Sequence, residues 1–388
     1  MIDRFLSFFL FFFILVLKLV SFFLKKKNNK LIFIQDRVSG LPNVRLSKIS
    51  FALNKHSIFP VLLIHRDQLK NFKLISNNFE KIYTYNSYLD LIIFTLKHKN
   101  SIFNFFTEAE LISGLLINIC KPKKFFFDNY DQLYGIHNSS KRVPLEKYLI
   151  KNSFNICRSG ELKLIKKKNK HIFFPDYFLK LRVDSNLDLR QLKNNDKIKI
   201  VYGGQIRQSF EWGQNNYHHN HEDIIKNFGN FKNIILDIFP TPSLSRESKI
   251  DYKKLCNNYE NVNFNEPLPY NDFVEKLSEY DFGISITPTI NKKANIKNKY
   301  SMANKIFDYL SNGVMILYPK LDFEHTIKPY EERFLKHYGF FVKIDLKKSE
   351  DEIIEKLKQF KKNIKINNLN NLLIDNHIKR LINFYGLN

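Results

Sequence analysis

The sequence predicts an α/β protein of two doubly wound domains, one after the other, behind an apolar N-terminal segment. Three observations carry that prediction. Short, largely apolar runs such as Leu31–Ile34, Lys124–Phe127, Ile198–Tyr202 and Val314–Tyr318 suit strands buried on both faces of a parallel sheet. They alternate with stretches of helical period, the pattern of strand–helix–strand units. The alternation begins twice, at Lys30 and again at Lys197, and the 388 residues suffice for two domains with separate cores.

Phe5–Leu24 is almost continuously apolar, broken by Ser7, Lys18 and Ser21, and matches the roughly 20 residues of a spanning helix. Residues 1–27 are therefore read as a membrane anchor rather than a cleavable signal, because the apolar core exceeds the usual roughly 7–15 residues and no small-residue cleavage site follows. Lys18 snorkels if the segment spans, or faces the headgroups if it lies in the interface; both readings stand. Lys25, Lys26, Lys27 and Lys30 follow the segment and only Arg4 and the amino terminus precede it. Positive charge marks the cytosolic side, so the body is expected in the cytosol, attached to the cytoplasmic membrane.

The first domain, 28–178, opens with the strand Leu31–Ile34, a turn-like RVSGLPN, a helix over Val44–Leu53 and a strand over Phe59–His65. Gly40, in the first strand-to-helix loop, either makes a turn or lets the backbone approach a phosphate or acceptor sugar. Further strands are expected at Lys81–Thr84, Ser101–Phe106, Lys124–Phe127, Asn155–Arg158 and His171–Tyr177, with a helix at Glu146–Asn152. Asp128 and Asp131 follow a buried strand at its C-terminal edge, where open α/β sheets place ligands; each alternatively caps a helix or begins a turn. Residues 179–197, charged and Asn-rich, form the connection.

The second domain, 198–365, begins with the strand Ile198–Tyr202 running into Gly203-Gly204-Gln205-Ile206-Arg207. Glycines let a backbone approach a diphosphate, and an arginine offers it a fixed fork of donors. Strands at Asn233–Phe239, Val262–Phe264 and Asp281–Pro288 alternate with helices at Tyr252–Asn257 and Asn271–Tyr280. Then comes NKYSMANKIFDYLSNGVMILY, residues 298–318. Read as a helix, it buries Ala303, Ile306, Phe307 and Leu310 and turns Ser301, Lys305, Asp308 and Asn312 the other way, with Ser301 as cap and Gly313 as stop. Ile353–Phe360 and Leu372–Phe384 are amphipathic, and the last segment, 366–388, is expected as a helix free to pack back on the first domain.

The formal charge is +24, from 62 Lys+Arg against 38 Asp+Glu. It suits an anionic membrane or phosphorylated substrates as well as it suits a Lys- and Asn-rich composition without a specific partner. No basic stripe with interleaved aromatics appears, so no nucleic acid partner is expected. Cys120, Cys157 and Cys256 have no CxxC spacing and read as ordinary thiols. His218, His219 and His221 lie in a polar, Asn-rich loop and read as loop histidines rather than ligands, so no metal is expected.

IVYGGQI at 200–206, VNFNEPLPYNDFVEKLSEYDFGISI at 262–286 and above all NKIFDYLSNGVMIL at 304–317 resemble the nucleotide-sugar domain of GT-B glycosyltransferases, of the family 4 type. FFFDNYDQLYG and NICRSGEL carry the likeness more loosely into the first half. The resemblance implies two Rossmann-like domains facing a cleft, a nucleoside-diphosphate-sugar donor and retaining hexosyl transfer without a cofactor or metal. It implies that Asp308, at the second acidic position of the family's Glu-x7-Glu motif, binds the donor ribose. Tyr300 stands at the first position, a departure. Arg207, with Gly203, Gly204 and Lys305, would grip the diphosphate, Glu266 would line the base pocket, and Asp128 would face the reacting sugar as the catalytic group. The acceptor would be an envelope glycan or a lipid-linked one. An epimerase or polyol-phosphate transferase of the same fold, or a membrane-bound scaffold without catalysis, are the alternatives.

Overall fold

A computed structural model describes residues 16, 31–35, 44–72, 76–107, 110–129, 142–159, 170–182, 197–206, 221–242, 244–285, 302–320, 329–364 and 366–387. The chain forms two compact units. The first comprises Met1–Pro175 and His377–Asn388, the second Asp176–Asn376.

The first unit is built on a seven-stranded sheet of order β3-β2-β1-β4-β5-β6-β7. Its strands are β1 (Leu31–Gln35), β2 (Val61–His65), β3 (Lys81–Tyr85), β4 (Ile102–Thr107), β5 (Lys124–Asn129), β6 (Phe154–Cys157) and β7 (His171–Phe173), all paired in parallel. Every residue of β1, β2 and β4 is buried, as largely apolar runs require when helices cover both faces. Ile32, Leu63, Phe103, Phe105, Phe125 and Phe127 share one core with Leu91, Ile117 and Leu149 from the covering helices. One of those helices, Tyr88–Lys97, starts in a capping box in which Ser87 and Asp90 bond reciprocally.

The C-terminal helix Ile378–Tyr385 lies against the opposite face of this sheet. Tyr385 and Phe384 set their rings 4.8 and 5.2 Å from Phe126, and the Asn104 amide donates to the Tyr385 hydroxyl at 2.9 Å. Lys124 Nζ donates to the Tyr385 carbonyl at 3.0 Å, and Gly386, at φ 71°, ends the helix in the left-handed region. The expected Leu372–Phe384 helix is broken: 3₁₀ turns occupy Ile366–Leu372 and Ile374–Asn376 before the helix begins.

The second unit holds a six-stranded parallel sheet of order β10-β9-β8-β11-β12-β13. Its strands are β8 (Ile198–Gly204), β9 (Ile234–Pro240), β10 (Val262–Phe264), β11 (Phe282–Ile284), β12 (Met315–Lys320) and β13 (Phe341–Asp345). Three elements escaped the sequence reading: the helices Glu222–Gly229 and Pro329–Tyr338, and β13, although Gly339 at φ 76° followed by an apolar run marks the junction of the last two. The helix expected over Tyr252–Asn257 starts earlier, at Arg246, where the Ser245 hydroxyl accepts from the Ser248 amide; a strongly polar first turn hid it from periodicity. His171–Tyr177 yields only a three-residue strand, since Pro175 has no N–H to give a ladder.

Of Phe5–Leu24 only Val16 is among the described residues. Among the described residues no helix is long and apolar enough to cross a membrane.

Candidate functional site

In the second unit the chain leaves β8 toward β9 on one side and returns to β11 on the other. The carboxyl end of β8 is thus a topological switch point, the place where such sheets hold ligands. Gly203 and Gly204 form that end. A methyl on Gly203 would overlap the Phe273 ring, and Gly204 sits at φ 144°, a conformation side chains disfavour. The Gly203 N–H donates to the Tyr309 hydroxyl at 2.9 Å, and the Gly204 carbonyl accepts from Thr241 N–H at 3.1 Å. Burial pushes the Tyr309 phenol well up, so it stays neutral and serves as an uncharged acceptor.

Tyr309 belongs to the short helix Lys305–Ser311, whose Ile306, Phe307 and Leu310 are buried as the sequence pattern requires. Tyr309 is buried too, against the expectation of a two-faced helix. Ser301 is outside the described residues; the helix begins later, with Asn304 at the cap position and no side-chain cap bond. It ends in a Schellman motif: Val314 N–H donates to Tyr309 O at 3.0 Å and Gly313 N–H to Leu310 O at 3.1 Å, with Gly313 at φ 71°.

Lys305 occupies the first helical position, where the helix dipole disfavours a cation. It is held there from two sides. Its Nζ donates to the Gly203 carbonyl at 3.1 Å and lies 3.8 Å from the centre of the Tyr202 ring. Burial drives the Tyr202 phenol far up, so the ring under the cation is neutral, and its hydroxyl donates to Gln205 O at 2.9 Å. Asp308, one turn on, accepts from the Tyr270 hydroxyl at 2.8 Å on Oδ1. Its own carbonyl accepts from Ser311 Oγ at 2.8 Å and Asn312 Nδ2 at 2.9 Å.

The structure therefore brings together Gly203, Gly204, Lys305 and Asp308. Arg207, Gly40, Asp131, Tyr300, His218 and His219 lie outside the described residues. His221 is buried with its ring 4.4 Å from Tyr202. Glu266 is drawn to the adjoining helix, pairing with Lys253 at 2.6 Å and Lys249 at 3.7 Å, and the Lys253 hydrogen bond and charge hold its carboxyl below the usual range. Its side chain remains largely exposed, a surface ion pair.

In the first unit Asp128 is 1% exposed, in an interior ion pair rather than displayed to solvent. Arg45 Nε donates to its two oxygens at 3.1 and 2.9 Å, and an Arg45 terminal nitrogen donates to Phe174 O at 2.7 Å. Nearby, Asn129 donates to the buried Glu146. Gln35, at the end of β1, has both amide atoms buried without a hydrogen-bond partner among the described residues.

Sequence reasoning missed Glu331. Fully buried, it accepts from Ser285 Oγ at 2.6 Å at the end of β11, from the Tyr318 hydroxyl in β12 and from Ala303 N–H just before the helix that carries Lys305. It ties that helix to the inner strands β11 and β12. A charged residue in a polar first turn gives no periodic signal, so only the packing reveals it. Among the described residues no group of His, Cys, Asp and Glu could hold a metal.

Two Rossmann-like parallel sheets in one chain define a class of two-domain α/β proteins. The solved structures that share this arrangement place it as the GT-B fold of glycosyltransferases. TarM matches with a TM-score of 0.59 at 9% identity, over 92% of this chain and 99% of that one. The UDP-GlcNAc 2-epimerase from Neisseria meningitidis, solved with UDP-GlcNAc, matches at 0.54 and 14% identity, over 92% and 100%. Anabaena HepE, solved with UDP and glucose, matches at 0.54 and 11% identity, over 90% and 99%. No protein-family model matches the sequence, and no curated protein sequence matches it.

Proposed function

We propose that the chain is a glycosyltransferase that moves a hexosyl group from a nucleoside-diphosphate sugar to an envelope glycan or lipid-linked acceptor. One observation carries this reading: Lys305 and Asp308 stand three residues apart on one helix, beside the Gly203–Gly204 end of the central strand. Three residues of helix advance about 4.5 Å, a separation suited to a cation on the donor diphosphate and a carboxylate on its ribose hydroxyls. Gly204, where a side chain would stand against Lys305 Nζ, leaves the diphosphate room beside that cation, and Arg207 would add a second. Neutralising the leaving diphosphate with cations and backbone donors stabilises developing charge without a metal. Retention at the anomeric carbon follows from the family 4 likeness of residues 304–317, with Tyr300 at the first acidic position as the departure to be explained.

Phe5–Leu24 and the lysines after it would hold the body at the cytosolic face of the membrane, near a lipid-linked acceptor and an anionic leaflet. In the first unit, Asp128 and Gly40 are proposed for the reacting sugar and the acceptor. The Arg45 pair would then act by holding the Asp128 carboxylate in one orientation.

The test is a melting-temperature panel of UDP-, GDP-, ADP-, CDP- and dTDP-sugars on the full chain. One should raise the transition, and Arg207→Ala and Asp308→Ala should lose that shift while remaining folded. A panel that moves nothing sinks the proposal.

A second reading is favoured by the fold shared with the Neisseria meningitidis epimerase: a sugar-nucleotide epimerase. It needs no acceptor, so conversion of the donor to a stereoisomer in the absence of acceptor distinguishes it.

A further inference from the structure

Asp308 is met by a hydroxyl from a second helix. The Tyr270 hydroxyl, at the first position of the helix Tyr270–Lys276, donates to Asp308 Oδ1 at 2.8 Å. The same helix buttresses the glycine end of β8, because Phe273 fills the space a Gly203 side chain would take. Phe273 in turn packs edge-on against Phe239 at 5.6 Å, at the end of β9. Tyr270 is thus carried by an element anchored to the sheet, not by a free loop.

We infer that Tyr270 is a positioning and selectivity residue for the donor ribose, acting through Asp308; the inference rests on the nucleotide-sugar reading of this site. A carboxylate on a two-bond side chain rotates about its terminal torsion with little restraint, since that torsion is broad. One fixed phenolic donor on Oδ1 removes that freedom and sets the carboxylate plane. A cis-diol then meets two acceptor oxygens in a defined orientation, and each hydroxyl finds an acceptor already aimed. Sugars lacking one hydroxyl lose that match. The preference for a ribonucleotide over its deoxy counterpart is therefore built jointly by Asp308, which accepts, and Tyr270, which aims it.

Alternative roles predict different outcomes. A Tyr270 that only packs would contribute to stability and leave the ribose preference alone. A Tyr270 that only stacks on the base would keep its effect when the hydroxyl is removed, because phenylalanine retains the ring.

The experiment uses the full chain with UDP, GDP, ADP and CDP and the 2′-deoxy form of each, measured by titration calorimetry. For the diphosphate that wild type binds, Tyr270→Phe should weaken affinity about tenfold, the usual scale for a hydrogen bond to a charged group. The 2′-deoxy form should weaken much less, so the ribo-to-deoxy ratio falls toward one. Asp308→Asn should lower the same ratio, and adding Tyr270→Phe to it should change the ratio no further. With a sugar nucleotide as substrate, the loss should appear in KM with kcat kept within about twofold. An unchanged ribo-to-deoxy ratio in a folded Tyr270→Phe protein overturns the inference while leaving the nucleotide reading intact. Failure of the wild type to bind any of the diphosphates overturns both.

Discussion

Replacing Lys305 by methionine keeps the length of the side chain and removes the charge. In the unliganded protein the change costs a charged hydrogen bond to Gly203 O and a cation–π contact with Tyr202. These contribute about 1.5–3 kcal/mol and about 0.5–1 kcal/mol respectively. Relief of a cation at the helix N-terminus returns about 0.3–1 kcal/mol. The net loss is about 1–3.5 kcal/mol, with Tm falling by roughly 2–4 °C per kcal/mol for a domain of this size. Binding should suffer too. A cation about 4 Å from a phosphate charge is attracted by about 4 kcal/mol at an effective dielectric near 20, before desolvation offsets part of it. Charge-assisted hydrogen bonds measured by mutation retain about 1.5–3 kcal/mol, which is about 10- to 100-fold in affinity. The assay is calorimetric titration of Lys305→Met with the nucleoside diphosphate that wild type binds and, separately, with the parent nucleoside. Diphosphate affinity should fall by that factor and nucleoside affinity should hold within about twofold. Equal losses for both would refute a phosphate role and reduce Lys305 to a strut for the glycine end of β8.

Two further outcomes test the surrounding structure. Glu331→Ala leaves the donors of Ser285, Tyr318 and Ala303 unmatched in the interior and should cost about 3–5 kcal/mol in urea unfolding; a loss under about 1 kcal/mol would show that Glu331 does not tie the helix to β11 and β12. Burial pushes the Cys256 thiol up to about 12, so it should resist a thiol reagent at pH 8 until the protein unfolds. The unfolded thiol ionises near 9 and the folded one near 12, so the unfolded state binds fewer protons in between and this group's contribution to stability is lost as pH rises through that window. Rapid labelling of native Cys256, located by mass spectrometry, would contradict its burial.

Much of the architecture was legible because it depends on local regularity. Runs such as Ile198–Tyr202 are apolar at every residue but Lys199, which is only half-buried, and a strand covered on both faces needs such a run. Gly313 ends a helix because it enters the left-handed region at low cost, and that preference is visible in the sequence. Where the periodic signal was masked, reading failed: Arg246–Tyr252 is too polar to show a face, and Pro329–Tyr338 offers acids in its first turn and no clean stripe. Helix starts are also weakly encoded, so the cap expected at Ser301 gave way to a start at Lys305.

The sequence by itself determined the two-fold repetition of α/β units, the glycine turn after Ile198–Tyr202, and the placing of Lys305 and Asp308 on one helix, because each follows from residues within a few positions of one another. Tertiary structure alone decided the partners across long separations. It set Lys305 over Tyr202, Tyr270 on Asp308, Glu331 beneath Ala303, Arg45 on Asp128 and the C-terminal helix on the first sheet. Those pairings join residues tens to hundreds of positions apart, and they arise from strand order and packing, which local composition does not specify.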